Sequence, residues 1–253
     1  MSEKESQFYD PNFYRQQRDQ SRESAEEVVP YIISRIKPQR VVDVGCGVGT
    51  WLAEFGRQGV PEILGMDGSY VRRDMLQIRE AQFRPANLSM PTSISVMERF
   101  DLALSLEVAE HLPTEVADGF VALLTSLAPT VVFSAAIPFQ GGVNHINEQW
   151  ADYWISRFAT HGYLPVDCFR PHFWDNQRVQ LCYRQNMFLL TSDKELREKL
   201  TTELAGIAWP VRMVHPDTFV EVITRRPTLR NVLKAFPDAV KASARDRLNR
   251  AKS

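Results

Sequence analysis

The sequence has 253 residues, enough for one large α/β domain with a sizeable core. Its formal net charge of −1 gives no global reason to expect a nucleic-acid partner. The three cysteines, Cys46, Cys168 and Cys182, follow neither a disulfide framework nor a zinc spacing, so a reduced, cytoplasmic setting is the default. No apolar run is long enough to span a membrane, and the N-terminus lacks a signal-peptide pattern.

Residues 1–20 are polar with an aromatic cluster, Phe8, Tyr9, Phe13 and Tyr14. They read either as an arm packed on the surface or as a flap with Tyr14 pointing inward. A helix is expected from Ser21, with an apolar stripe of Ala25, Val28, Val29, Ile32, Ile33 and Ile36. Pro30 predicts a kink or a restart, and Pro38 ends the helix.

The first strand begins at Arg40 and runs into Val41-Val42-Asp43-Val44-Gly45-Cys46-Gly47-Val48-Gly49-Thr50-Trp51-Leu52. A buried strand, a glycine turn and a helix start are the reading. Only glycine lets the backbone turn this sharply and lets a ligand approach the main chain. The helix start behind the turn offers free N–H groups. The spacing is G-x-G-x-G with an acid two residues ahead, not the G-x-G-x-x-G of dinucleotide sites. The second strand, Glu62 to Met66, ends at Asp67, 24 positions after Asp43. Val71 to Ile78 reads as a helix, and residues 83–88 as the third strand and its exit.

The fourth strand, Phe100 to Leu106, runs into Glu107-Val108-Ala109-Glu110-His111. Spacing i, i+3, i+4 puts Glu107, Glu110 and His111 on one face of a helical turn. In an open α/β sheet this carboxyl end of a central strand is where ligands bind. Two packed carboxylates and an imidazole repel unless a cation joins them, and a divalent ion is the obvious one. A helix from Ala117 to Leu127 and a fifth strand from Thr130 to Ala136 lead to the polar loop Gln140-Gly141-Gly142-Val143-Asn144-His145-Ile146-Asn147-Glu148-Gln149. Polar residues gathered at that end suggest a site. His145 is the fourth candidate ligand, in a set of oxygen and nitrogen donors that suits Mg²⁺ or Mn²⁺. Glu148 and Asn147 are second contacts to ligand or substrate.

A helix from Gln149 to His161 carries Trp150, Tyr153, Trp154 and Phe158, read as core or as a platform for a sugar face. Leu164 to Phe169 and Gln180 to Leu190 read as the sixth and seventh strands. The connector between them carries His172, an alternative base. An amphipathic helix follows from Asp193 to about Leu204. From Arg225 onward nine Lys or Arg stand against two acids. That tail reads as a solvated helix, with a homodimer contact or a surface for an anionic acceptor as other uses.

The glycine motif with its leading acid resembles motif I of the class I S-adenosylmethionine (AdoMet) methyltransferases, over roughly residues 20–192. The resemblance implies a Rossmann-like seven-stranded sheet with helices on both faces. It divides the chain into an arm (1–20), an AdoMet-binding domain (21–192) and a helical, basic extension (193–253). It also implies that Asp43 works near the methionine end of AdoMet, that the backbone of Gly45 and Gly47 packs under the ligand, and that Asp67 takes both ribose hydroxyls. Asn87 and Leu88 then hold the adenine. The E-V-x-E-H pattern is shared with many metal-free members. It is also similar to that of plant small-RNA 2′-O-methyltransferases, in which E-x-x-E-H and a later His hold a divalent ion. The stretches SRESAEEVVP and IPFQGGVNHINEQW look like bacterial methyltransferases found with glycan-assembly genes.

These expectations combine into an AdoMet-dependent O-methyltransferase acting on a sugar or oligosaccharide hydroxyl. Glu107, Glu110, His111 and His145 would hold the metal, and His145 is also the candidate base; the two roles compete for its nitrogens. The alternatives are a metal-free O-methyltransferase for phenols or quinone precursors, an RNA 2′-O-methyltransferase, and an AdoMet-binding protein without catalysis.

Overall fold

The computed structural model describes residues 11–95, 97–204 and 210–224, with side chains from Ser21 onward. Helix α1 (Pro11–Ile36) precedes strand β1 (Arg40–Val44), helix α2 (Thr50–Arg57) and strand β2 (Glu62–Asp67). Then come β3 (Phe83–Pro85), β4 (Leu102–Leu106), α3 (Ala117–Leu127), β5 (Thr130–Ser134) and α4 (Ala151–Thr160). The first compact unit, which ends at His215, is completed by β6 (Leu164–Val166), α5 (Arg170–Phe173), α6 (Leu181–Asn186), β7 (Phe188–Thr191) and α7 (Lys194–Glu203). A second unit starts at Pro216 and contains α8 (Pro216–Thr224). The expected basic tail from Arg225 lies outside the described residues, as do the side chains of the expected N-terminal flap.

The seven strands form one sheet in the order β3-β2-β1-β4-β5-β7-β6. Only β7 runs against the others, pairing antiparallel with both β5 and β6. This is the Rossmann-like seven-stranded arrangement that the resemblance implied. Strands β1, β4 and β5 have short apolar sequences because both faces of a parallel sheet are covered. Their side chains alternate between two cores. Val41, Leu102, Leu104 and Val132 pack with α1 and α2, whereas Val42, Val44, Ala103, Val131 and Phe133 pack with α3 and α4. The order reverses between β1 and β4, and the crevice at their carboxyl ends is the place such folds reserve for ligands.

Four elements differ from the sequence reading. Helix α1 starts at Pro11 rather than Ser21 and runs unbroken through Pro30. Val71 to Ile78 holds only a short 3₁₀ turn, Arg73–Met75. Its apolar ends bury separately, with Ile78 against the glycine turn, and the Gln77 amide donates to Val48 O at 2.8 Å. The expected seventh strand from Gln180 is a helix, α6, up to Asn186, and the strand occupies only Phe188–Thr191. A run with Leu, Cys, Tyr and Met has no period that separates the two states. Glu107 does not lie on a helical face with Glu110 and His111. It adopts φ 55°, and only Ala109–His111 form a 3₁₀ turn after it.

Candidate active site

The crevice opens as a cavity of about 670 Å³. Asp43, Gly45, Gly47, Asp67, Asn87 and Leu88 all line it, as the sequence suggested. Ser21, Trp51, Tyr70 and Tyr183 line it as well and were not foreseen; they carry no motif and arrive from α1, α2, a turn and α6. Gly45 holds φ 91°, and a Cβ there would stand 2.3 Å from Val108 Cγ2. Close packing of the glycine turn on the residue after Glu107 therefore excludes any side chain. Above Gly47, at φ 54°, there is open space instead, so its backbone is available to a ligand.

Asp67 is already engaged. Its Oδ2 accepts from Gly47 N at 2.7 Å, and its Oδ1 accepts from Gly68 N at 2.6 Å and Tyr70 OH at 2.7 Å. Burial still holds its pKa above the usual carboxylate range, against those three donors. Asp43, also buried, is pushed up to about 8 by burial and by the neighbouring Asp67 charge. Two buried carboxylates with no cation between them make the floor of this cavity a place for a cationic ligand. Asn87 uses its Oδ1 to accept from Ser89 N at 3.1 Å, which leaves its side-chain amide nitrogen as the available donor.

The second half of the site lies at the end of β4 and in the loop after β5. Glu110 is fully buried, and neither carboxylate oxygen has a hydrogen-bond partner. Its pKa lies well above the usual range, first because of burial and then because of the Glu107 charge. Ile146 N and Asn147 N donate to the Glu110 carbonyl at 2.9 and 3.0 Å. This docks the loop and brings His145 Nε2 to 4.0 Å from Glu110 Oε1. The rings of His111 and His145 meet edge to face with centroids 4.8 Å apart. One donor atom each from Glu110, His111 and His145 all lie within 4.8 Å of one another, close enough to hold a metal ion.

Both imidazoles are oriented through the other nitrogen. His145 Nδ1 stands 3.0 Å from Glu148 Oε1, and His111 Nδ1 stands 3.3 Å from Asn144 O. Each partner is an acceptor, so each Nδ1 carries the proton and each Nε2 is left free. Burial, with His145 adding to it, pulls the His111 pKa down to about 4, so it stays neutral. Glu148 also accepts from Phe139 N at 2.8 Å and Gly141 N at 2.7 Å, which fixes the loop that presents His145.

Glu107, expected beside these three, is held differently. Gln140 Nε2 donates to its Oε2 at 2.8 Å and Asn186 Nδ2 to its Oε1 at 3.2 Å. It lines the cavity rather than joining the three-residue group. His172, the alternative base, is exposed, stacks on Tyr31 at 4.3 Å and does not line the cavity. Trp154 and Phe158 pack on Phe133 in the core and not as a platform.

A methyltransferase-domain family model matches residues 14–174. The chain belongs to this methyltransferase family. Its cosubstrate is AdoMet, and the cavity at the carboxyl ends of β1 and β4 is where this fold receives it. Among solved structures, it is similar to the magnesium protoporphyrin IX methyltransferase of Synechocystis PCC 6803 with bound SAM. That match has 17% identity, covers 73% of this chain and 86% of the other, and has a TM-score of 0.50. The methyltransferase domain of bacterial CtHen1-C matches at 17% identity over 67% of this chain and 97% of the other, also with a TM-score of 0.50. At these identities the likeness concerns the fold. No curated protein matches the sequence significantly. Among the described residues no helix is long and apolar enough to cross a membrane.

Proposed function

We propose that this methyltransferase is an O-methyltransferase acting on a hydroxyl of a sugar or oligosaccharide, assisted by a divalent ion such as Mg²⁺ held by Glu110, His111 and His145. The observation that carries the reading is the Glu110 carboxylate, fully buried, unpartnered, and facing two imidazoles. Burial and the Glu107 charge favour the protonated form of this carboxyl, and a cation held between it and the imidazoles would favour the ionised form instead. Oxygen and nitrogen donors without thiolate suit Mg²⁺ or Mn²⁺.

Methyl transfer is an in-line displacement on the sulfonium methyl, and an alcohol attacks poorly because its pKa lies far above neutral. A divalent ion, when bound, lowers the pKa of a hydroxyl it coordinates and can be chelated by a vicinal diol, as sugars present. The chain's own residues orient the reactants. Asp43 and the Gly47 backbone would seat the methionine end of AdoMet, and Asp67 the ribose, with a ribose hydroxyl taking over the Oδ1 bond that Tyr70 makes. Asn87 and Leu88 would flank the adenine. His145 has one free nitrogen, Nε2, so it either ligates the ion or takes the acceptor proton there.

The resemblance to methyltransferases of glycan assembly supports the narrowest form of this reading, 1-O-methylation of a methylmannose oligosaccharide. The test is turnover by chelator-stripped protein. AdoHcy release is followed on a panel of mannose oligosaccharides, with Mg²⁺, Mn²⁺ or no ion added back. Activity restored only by a divalent ion supports the reading. Full activity without metal makes Glu110 and the histidines wall residues. Turnover on phenols or RNA ends, with none on sugars, moves the acceptor to those classes.

A further inference from the structure

The structure treats the two glutamates of the E-V-x-E-H stretch in opposite ways. Among the described residues the carboxylate oxygens of Glu110 accept no hydrogen bond, while both oxygens of Glu107 are occupied by neutral amide donors from distant parts of the chain. Gln140 comes from the loop that carries His145, and Asn186 from the last residue of α6. The two amides support each other, with Asn186 Nδ2 donating to Gln140 Oε1 at 2.8 Å and Gln185 Nε2 donating to Asn186 Oδ1 at 3.0 Å. Gln185 Oε1 in turn accepts from His215 N at 2.7 Å. The backbone joins in, since Glu107 N lies 3.0 Å from Ser134 O and 3.1 Å from Ser134 Oγ. A non-glycine residue at φ 55°, held on every side, is a position the fold specifies.

Glu107 stands at a boundary. It lines the AdoMet cavity together with His111 and Asn144, which belong to the metal side. The methyl group must lie where the two halves meet, because the sulfonium comes from one and the attacking hydroxyl from the other. We infer that Glu107 is not a metal ligand but the carboxylate that faces the AdoMet sulfonium, and that Gln140 and Asn186 are the positioning residues that aim it. The clamp has a chemical reason. A carboxylate beside an activated methyl is itself a nucleophile, and hydrogen bonds to both oxygens lower that reactivity while leaving the charge in place. Because Gln140 shares a loop with His145, the same clamp ties the cofactor side to the loop that presents the acceptor-side imidazole.

This assignment rests on the proposed AdoMet cavity and on an acceptor that enters from the His111 side, but it does not need an ion to be bound, so it and the metal proposal can fail separately. Calorimetry compares AdoMet, which carries a sulfonium, with AdoHcy, which carries a neutral sulfur; Mn²⁺ binding is followed by electron paramagnetic resonance. Glu107→Gln should weaken AdoMet about tenfold, the effect of losing one charge-assisted contact, and AdoHcy by less than about threefold. Mn²⁺ affinity should stay within about twofold of wild type, whereas Glu110→Gln should lower it at least about tenfold. Asn186→Leu and Gln140→Leu should copy the AdoMet-against-AdoHcy pattern with the charge still present. Asn186→Leu is checked for folding by its melting curve, and Gln140→Asn, which keeps a donor, should restore part of the preference. Equal losses for the two ligands, or none, overturn the sulfonium role. A Mn²⁺ loss in Glu107→Gln as deep as in Glu110→Gln overturns it in favour of ligation. Wild-type protein that binds no Mn²⁺ defeats the metal proposal, and the ligand ratio still decides this one.

Discussion

The two halves of the site differ in how far the chain completes them. On the proposed AdoMet side, the glycine turn is braced by Asp67, which accepts from three donors of the chain, at the wall of a cavity of about 670 Å³. On the other side, the imidazoles and the loop are fixed, but among the described residues the Glu110 carboxylate oxygens accept no hydrogen bond. In the first half Asp67 is satisfied by the chain, while Asp43 beside it is pushed up to about 8 by burial and by the Asp67 charge. In the second, the Glu110 carboxyl is held well above the usual range by burial and the Glu107 charge, and the metal proposal gives it a cation that would favour its ionised form. The first half is thus braced through one of its carboxylates, whereas the second arranges its imidazoles around a carboxylate that accepts no hydrogen bond.

That contrast breaks most sharply at Glu110. Glu110→Gln should lower kcat/KM by at least about 100-fold under the metal proposal. Because burial already favours the protonated carboxyl, Glu110→Gln should leave the melting temperature of the metal-free protein near wild type around neutral pH and should abolish any rise that Mn²⁺ produces in wild type. Activity that survives, or a protein that melts earlier, would place Glu110 among residues the fold already satisfies.

Asp67→Ala comes next. Losing an acceptor of charge-assisted bonds, each worth roughly 1.5–3 kcal/mol, should weaken AdoMet binding about 10- to 100-fold. It should also loosen the turn at Gly47, which calorimetry and melting curves would record together. An unchanged AdoMet affinity would move the cofactor elsewhere in the cavity.

Gly45→Ala should cost about 1–3 kcal/mol of stability, through a positive φ and a Cβ that meets Val108. Denaturant midpoints measure it, and a midpoint equal to wild type would show that Val108 can yield.

Asp43 sharpens the comparison through pH. Its folded pKa of about 8 lies above the ordinary carboxylate value of 3.8, so the ligand-free fold binds this proton more tightly than the unfolded chain does. Its contribution to stability is full below 3.8 and is lost as pH rises toward 8. A cationic ligand reverses the preference by favouring the ionised form. AdoMet affinity should therefore rise with pH up to about 8, with a proton released on binding. Asp43→Asn should flatten that rise and raise the melting temperature of the ligand-free protein more at pH 8 than at pH 5. Calorimetry in buffers of different ionisation enthalpy counts the proton, and no release would mean that Asp43 is charged before AdoMet arrives.

The smallest effect is expected at His172. It stacks on Tyr31 away from the cavity, so His172→Ala should leave kcat/KM within about twofold. A large loss would return it to the list of bases.

The glycine turn and its two acids were legible in the chain because they are local. A strand, a turn that demands positive φ and a helix start follow one another, and the residues that line the cavity sit at the turn and at the ends of neighbouring strands. The strands β1, β4 and β5 were legible as short apolar runs, while the division of their side chains between two cores follows from the pleat once both faces are covered. What sequence could not decide is what depends on partners far along the chain. Spacing places Glu107 and Glu110 together, yet a residue at φ 55° and an amide 79 positions away turn one of them toward the cavity. Tyr183, Gln185 and Asn186 reach the site because that stretch coils into α6 instead of extending, and its composition permits both. Local pattern determined the strands, the turn and the chemistry of the side chains; only tertiary packing decided which carboxylate is hydrogen-bonded and which is buried without a hydrogen bond, because burial and hydrogen bonding are properties of the assembled fold.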